Sequence, residues 1–66
     1  MSETVQIWIE EFSQSGRTVE EEITDIEGTI SNERTFAKGS DSEEAIFMHE
    51  QNVEELEEYL EVLKAM

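Results

Sequence analysis

The chain has 66 residues, with eighteen Asp and Glu against four Lys and Arg, and a formal charge of −14. That length supports one small domain spanning residues 1–66, and such a domain buries only about 60% of the surface its unfolded chain exposes. The charge excludes direct nucleic-acid binding, which needs clustered cations, and disfavours anionic membrane surfaces; Arg17, Arg34, Lys38 and Lys64 are few and scattered.

The chain has no cysteine. No disulfide can hold it, and cysteine-based zinc and iron–sulfur sites are excluded. Homodimerisation remains as an inexpensive source of stability for so small a core. No stretch approaches the ~20 apolar residues of a membrane span, and "MSETVQIWIEEF" has no basic region of the secretory kind. A cytoplasmic protein is expected, in the host cell if the chain is phage-encoded. Small domains usually carry a net charge of magnitude about 2–8, and like charges oppose compaction. An excess this large implies either a solubility coat or a basic partner. The apolar residues fall in periodic groups, which argues against disorder of the whole chain.

The first group is "TVQIWIEEF". Val5, Ile7 and Ile9 alternate with Gln6, Trp8 and Glu10, a period-two pattern over β-branched residues that predicts a strand. Trp8 and Phe12 then lie on the opposite face, and are the candidates for a dimer or target interface. "SQSG" reads as a turn. The next group, "RTVEEEITDIEGTIS", admits two readings. Thr18 with Glu21 forms a capping-box pattern, and Val19, Ile23, Ile26 and Ile30 follow helical spacing. Gly28 inside a helix costs about 1 kcal/mol against Ala, and a helix ending there would be marginal alone. The strand is preferred, with a bulge near Asp25 or Ile26.

"GTISNERTFAKGS" reads as a hairpin turning at "SNER", "KGSDSEE" as a second loop, and "AIFMHE" as a further strand. The last segment, "NVEELEEYLEVL", packs five glutamates among six apolar or aromatic residues. Asn52 serves as N-cap with Glu55 as its box partner, and Lys64 suits the C-terminal end. The expected fold is α+β: a small antiparallel sheet of three to four strands with one C-terminal amphipathic helix packed on it.

On that helix Leu56, Tyr59, Leu60 and Leu63 gather on one side, and Glu54, Glu57, Glu58 and Glu61 on the other. A solvated face would normally interleave Lys or Arg. Carboxylates four residues apart rise about 6 Å along the axis, near the spacing of phosphates along a DNA strand. Glu20, Glu22, Asp25 and Glu27 offer a second row, and Asp41, Glu43 and Glu44 a third. These are the expected partner-binding residues.

In size, acidity, lack of Cys and Pro, and element order, the chain resembles small phage-encoded DNA-mimic proteins, which occupy the DNA site of a host protein. The resemblance is one of composition and layout over the whole chain, without a shared motif. Targets of that class include uracil-DNA glycosylase, restriction enzymes, CRISPR effectors and the nucleoid-associated protein HU. The phage inhibitors of uracil-DNA glycosylase carry a Glu-Ser-Ile strand edge, where this chain has only "SEEAI" at Ser42 to Ile46. The resemblance therefore implies a basic DNA-binding protein of the host as partner, with HU the best match. The alternative is a small acidic dimeric adaptor or structural protein whose acids are a solubility coat.

Other chemistry finds little support. His49 is the only histidine and has no nucleophile frame around it. "SDSEEAIFMHE" lacks the calcium-loop pattern. The three glycines are isolated, so no phosphate cradle forms. The expectation is a non-enzymatic protein without cofactor or metal.

Overall fold

Three hydroxyl side chains set the architecture. In a computed structural model describing residues 1–66, Ser2, Thr18 and Ser42 each sit in extended backbone and accept a hydrogen bond from the amide three residues on. Each thereby satisfies one of the amides that every helix start leaves free. The helices that follow are α1 (Glu3–Ser15), α2 (Val19–Lys38) and α3 (Glu43–Lys64). The protein is all-α, with no strand, so the expected sheet with one C-terminal helix is wrong.

The first expected strand is α1. Val5, Trp8, Ile9 and Phe12 follow the i, i+3, i+4, i+7 spacing of a helix face; Val5 is fully buried, and the other three pack against the same cluster. Ile7, the middle residue of the period-two pattern, is 51% exposed. Val5 and Ile9 satisfy both periods, so the pattern alone could not separate them. Gly16 ends the helix at φ +74, a left-handed conformation that glycine adopts without steric cost.

The strand preferred around residues 18–28 and the "SNER" hairpin are both interior to α2. The capping box is complete: Thr18 and Glu21 each bond the other's backbone. Gly28 is tolerated in mid-helix, because Val19, Ile23, Ile26 and Ile30 bind the helix to its neighbours. Tertiary packing of that stripe outweighs one unfavourable residue.

The strand read in "AIFMHE" is the opening of α3, which starts at Ser42 rather than Asn52. Ile46, His49, Val53, Leu56 and Leu60 are all at least half-buried. Their 3-4-3-4 spacing makes one continuous inward row across the boundary that Asn52 was expected to mark.

α2 and α3 form an antiparallel hairpin joined at Gly39–Ser42. Their pairing runs in opposite senses: Glu33 meets His49, and Glu22 meets Tyr59. α1 packs mainly on the C-terminal half of α3. The innermost residues are Val5, Tyr59 and Leu63, with Ile30 and Leu56 also buried. The Trp8 and Tyr59 rings lie 5.6 Å apart and tilted, an arrangement favourable to aromatic pairs. The Tyr59 hydroxyl donates to Glu22 Oε2 at 2.7 Å. Burial, and then this bond, raise the phenol pKa above its ordinary value.

Candidate functional site

The acids are the one feature abundant enough to define a surface, and α3 sorts them. Glu43, Glu50, Glu54, Glu57 and Glu61 are all exposed. Their spacing of 7, 4, 3 and 4 keeps them within a narrow sector of the helix, opposite the buried Leu56, Tyr59 and Leu63. Over eighteen residues the stripe spans about 27 Å, with rises of about 4.5–6 Å between neighbours in its second half. Phe47, 58% exposed, sits among them, four residues after Glu43 and three before Glu50.

This stripe differs from the expected row. Glu58 is only half-exposed and turns toward the amino terminus, whose nitrogen lies 3.8 Å from its Oε1. Glu57 accepts from Arg34 at 2.7 Å. Neither is uncompensated, whereas Glu54 and Glu61 have no ion-pair partner. Glu50, not anticipated, joins the stripe. Its signal was the four-residue step to Glu54, hidden once "AIFMHE" was read as a strand.

The second expected row does not exist as a row. On α2, Glu20 and Glu27 are seven apart and share one side, while Glu22 and Asp25 lie on another with Arg17 between them. Arg17 bonds Asp25 and reaches Glu22 Oε1 at 3.1 Å. The hydrogen bond to Asp25 raises the guanidinium pKa. These two acids anchor the α1–α2 connection. In the third group, Asp41 lies in the α2–α3 connection and Glu43 and Glu44 in the first turn of α3, where a negative charge is favoured by the helix dipole.

Cations cluster on one groove. A cleft of about 570 Å³ between α2 and α3 is lined by Arg34, Lys38 and Lys64, facing Glu27, Glu57 and Glu61. The stripe is therefore flanked by positive charge along one edge and is most strongly anionic at Glu43, Glu50 and Glu54. Five of the eighteen acids have an ion-pair partner, and thirteen have none.

Trp8 and Phe12, expected at an interface, pack against the core. They border a dimple of about 230 Å³ shared with Arg17, Glu22, Ile26 and Tyr59. His49 stacks on Phe36, ring centres 6.0 Å apart, and its Nδ1 lies 2.5 Å from Glu33 Oε2. No three His, Asp or Glu side chains come together as a metal-holding group. No helix is long and apolar enough to cross a membrane. No protein-family model matches the chain, and no curated protein or solved structure was found to be similar to it.

Proposed function

We propose that the chain is a DNA-mimic inhibitor, acting in the cytoplasm of a host cell, that occupies the basic DNA-binding surface of a host protein. The observation that carries this reading is the α3 stripe, five exposed glutamates aligned over about 27 Å of rigid helix. A helix holds carboxylates at fixed intervals, so little order is lost when they meet a row of Arg and Lys. The thirteen acids without a cation add the long-range field that steers a basic partner inward. Close contact then replaces steering with charge-assisted hydrogen bonds. Phe47 supplies an apolar contact beside the charges.

HU is the target favoured, because a charge-shaped surface is the main thing such a groove reads. Uracil-DNA glycosylase, restriction enzymes and CRISPR effectors offer grooves of the same chemistry. The test is calorimetric titration of purified HU at increasing salt. Affinity is expected to fall at least tenfold between about 50 and 200 mM salt. The combined variant Glu50→Gln, Glu54→Gln, Glu61→Gln is expected to weaken binding at least tenfold while retaining full helicity. Unchanged binding by that variant would favour the coated-adaptor alternative, and absence of binding at low salt would remove HU as target.

A further inference from the structure

The dimple of about 230 Å³ beside α1 is walled by aromatic rings. Trp8 and Phe12, four residues apart on α1, are neighbours on one helix face. Both are half-buried and line the dimple. Tyr59, 1% exposed, forms its floor, with its ring centre 5.6 Å from that of Trp8. Ile26 of α2 completes the apolar lining. The face of an aromatic ring carries partial negative charge and attracts a cation placed over it.

The charges around the rim have the matching sign. Arg17 is the only cation that lines the dimple. It is answered twice, by Glu22 Oε1 at 3.1 Å and by Asp25. Glu11, on the α1 side of the rim, has no ion-pair partner. Three carboxylates against one guanidinium leave the rim anionic.

The hydrogen-bonding groups there are already engaged. Glu22 Oε2 accepts from the Tyr59 hydroxyl at 2.7 Å, and Oε1 faces Arg17. Ser15 Oγ donates to the Phe12 carbonyl at 2.7 Å and accepts from the Arg17 amide at 3.2 Å. A primary ammonium or a guanidinium brings several N–H donors. In the dimple it would find only Glu11 free to receive them, and each donor left unpaired after leaving water is costly. A quaternary ammonium has no N–H, and its charge is spread over methyl groups that suit aromatic walls.

We propose that the dimple binds a small quaternary ammonium compound, its trimethylammonium group seated against Trp8 and Phe12 above Tyr59, with Glu11 at the rim. The size agrees. Pockets for drug-sized ligands run to about 300–1,000 Å³, so this smaller one takes a head group and leaves the remainder of the ligand outside. That remainder carries no phosphate, which Glu11 and the field of the whole chain would repel. The site is separate from the α3 stripe and does not depend on a basic protein partner.

Trp8 is the only tryptophan, so its fluorescence reports on the dimple directly. The test is titration of the full chain with choline chloride, at an ionic strength held constant with NaCl. The expected result is a saturable change in emission, with a dissociation constant of millimolar order. The neutral alcohol in which carbon replaces the ammonium nitrogen of choline should bind at least fivefold more weakly. Phosphocholine and methylguanidine should also bind more weakly than choline. Glu11→Gln, an exposed change, should weaken choline at least threefold and leave the neutral alcohol unaffected. Phe12→Leu should abolish saturation, with circular dichroism verifying that the helices remain. The Gln variant of the stripe should retain choline binding. No saturable change with choline, equal or tighter binding of the neutral alcohol, tighter binding of methylguanidine or phosphocholine, or choline binding indifferent to both Glu11→Gln and Phe12→Leu would overturn the proposal.

Discussion

Gly28 and Tyr59 show how single residues set the stability of this fold. Gly28 lies exposed in the middle of α2, and a Cβ added there meets nothing within 4 Å. Gly28→Ala is expected to stabilise by about 1 kcal/mol, raising the melting temperature by about 4–8 °C in a domain this small; differential scanning calorimetry checks it. Tyr59 joins all three helices, through the Trp8 ring on α1 and the Glu22 carboxylate on α2. Tyr59→Phe keeps the ring and deletes the bond, at an expected cost of about 1 kcal/mol by urea unfolding. The pH dependence has a definite sign. The folded phenol titrates above its ordinary 10.0, so its contribution is full below that pH and is lost as pH rises through the folded value. The wild type should therefore lose stability in strong alkali more steeply than Tyr59→Phe.

Helix ends were legible only in part: the caps at Ser2 and Ser42 were not read, and the Thr18 pattern was passed over for a strand. Thr18 with Glu21 spelled a capping box, and the structure completes it. "SQSG" and "KGSDSEE" marked the two breaks between helices. The interiors failed for a physical reason. Val5, Ile7 and Ile9 satisfy a two-residue period, while Val5, Trp8, Ile9 and Phe12 satisfy a helical one, and only burial separates the two sets. Gly28 weighed against a helix on intrinsic propensity, which a packed apolar stripe overrides. Asn52 was a sound cap in a place where the chain was already helical. Of the candidate site, Glu54, Glu57 and Glu61 were read correctly as one helix side; Glu58 was lost to the amino terminus, and Glu50 was missed with the misread strand. Thr18→Ala tests the cap directly, with an expected loss of about 1 kcal/mol in urea unfolding. Glu21 has its pKa lowered by the Thr18 backbone bond. Its stabilisation is present above the ordinary carboxylate value and disappears as pH falls through the folded one; Thr18→Ala keeps the backbone N–H and deletes only the hydroxyl's bond to the carboxylate, the second cause, so it should flatten the acid limb of the stability curve only in part.

At the scale of the molecule, charge and size pull against each other. Only five of 66 residues are buried, and the core must hold against the mutual repulsion of −14. Thirteen of the eighteen acids have no ion-pair partner, so salt relieves repulsion more than it weakens the few ion pairs, which are largely exposed and contribute little. The melting temperature is therefore expected to rise with NaCl up to about 0.5 M, where screening is nearly complete. A fall would mean that the internal pairs dominate.

Under the proposed function, this repulsion is retained in the folded protein because a basic partner uses it. The most direct measurement is displacement of a fluorescently labelled DNA duplex from purified HU at low salt, followed by anisotropy. The expected result is full release of the duplex as the protein is added, with the midpoint shifted at least tenfold by the combined change Glu50→Gln, Glu54→Gln, Glu61→Gln. Retention of the duplex by HU at saturating protein, or equal displacement by the wild type and the Gln variant, would contradict the stripe as a mimic of the DNA backbone.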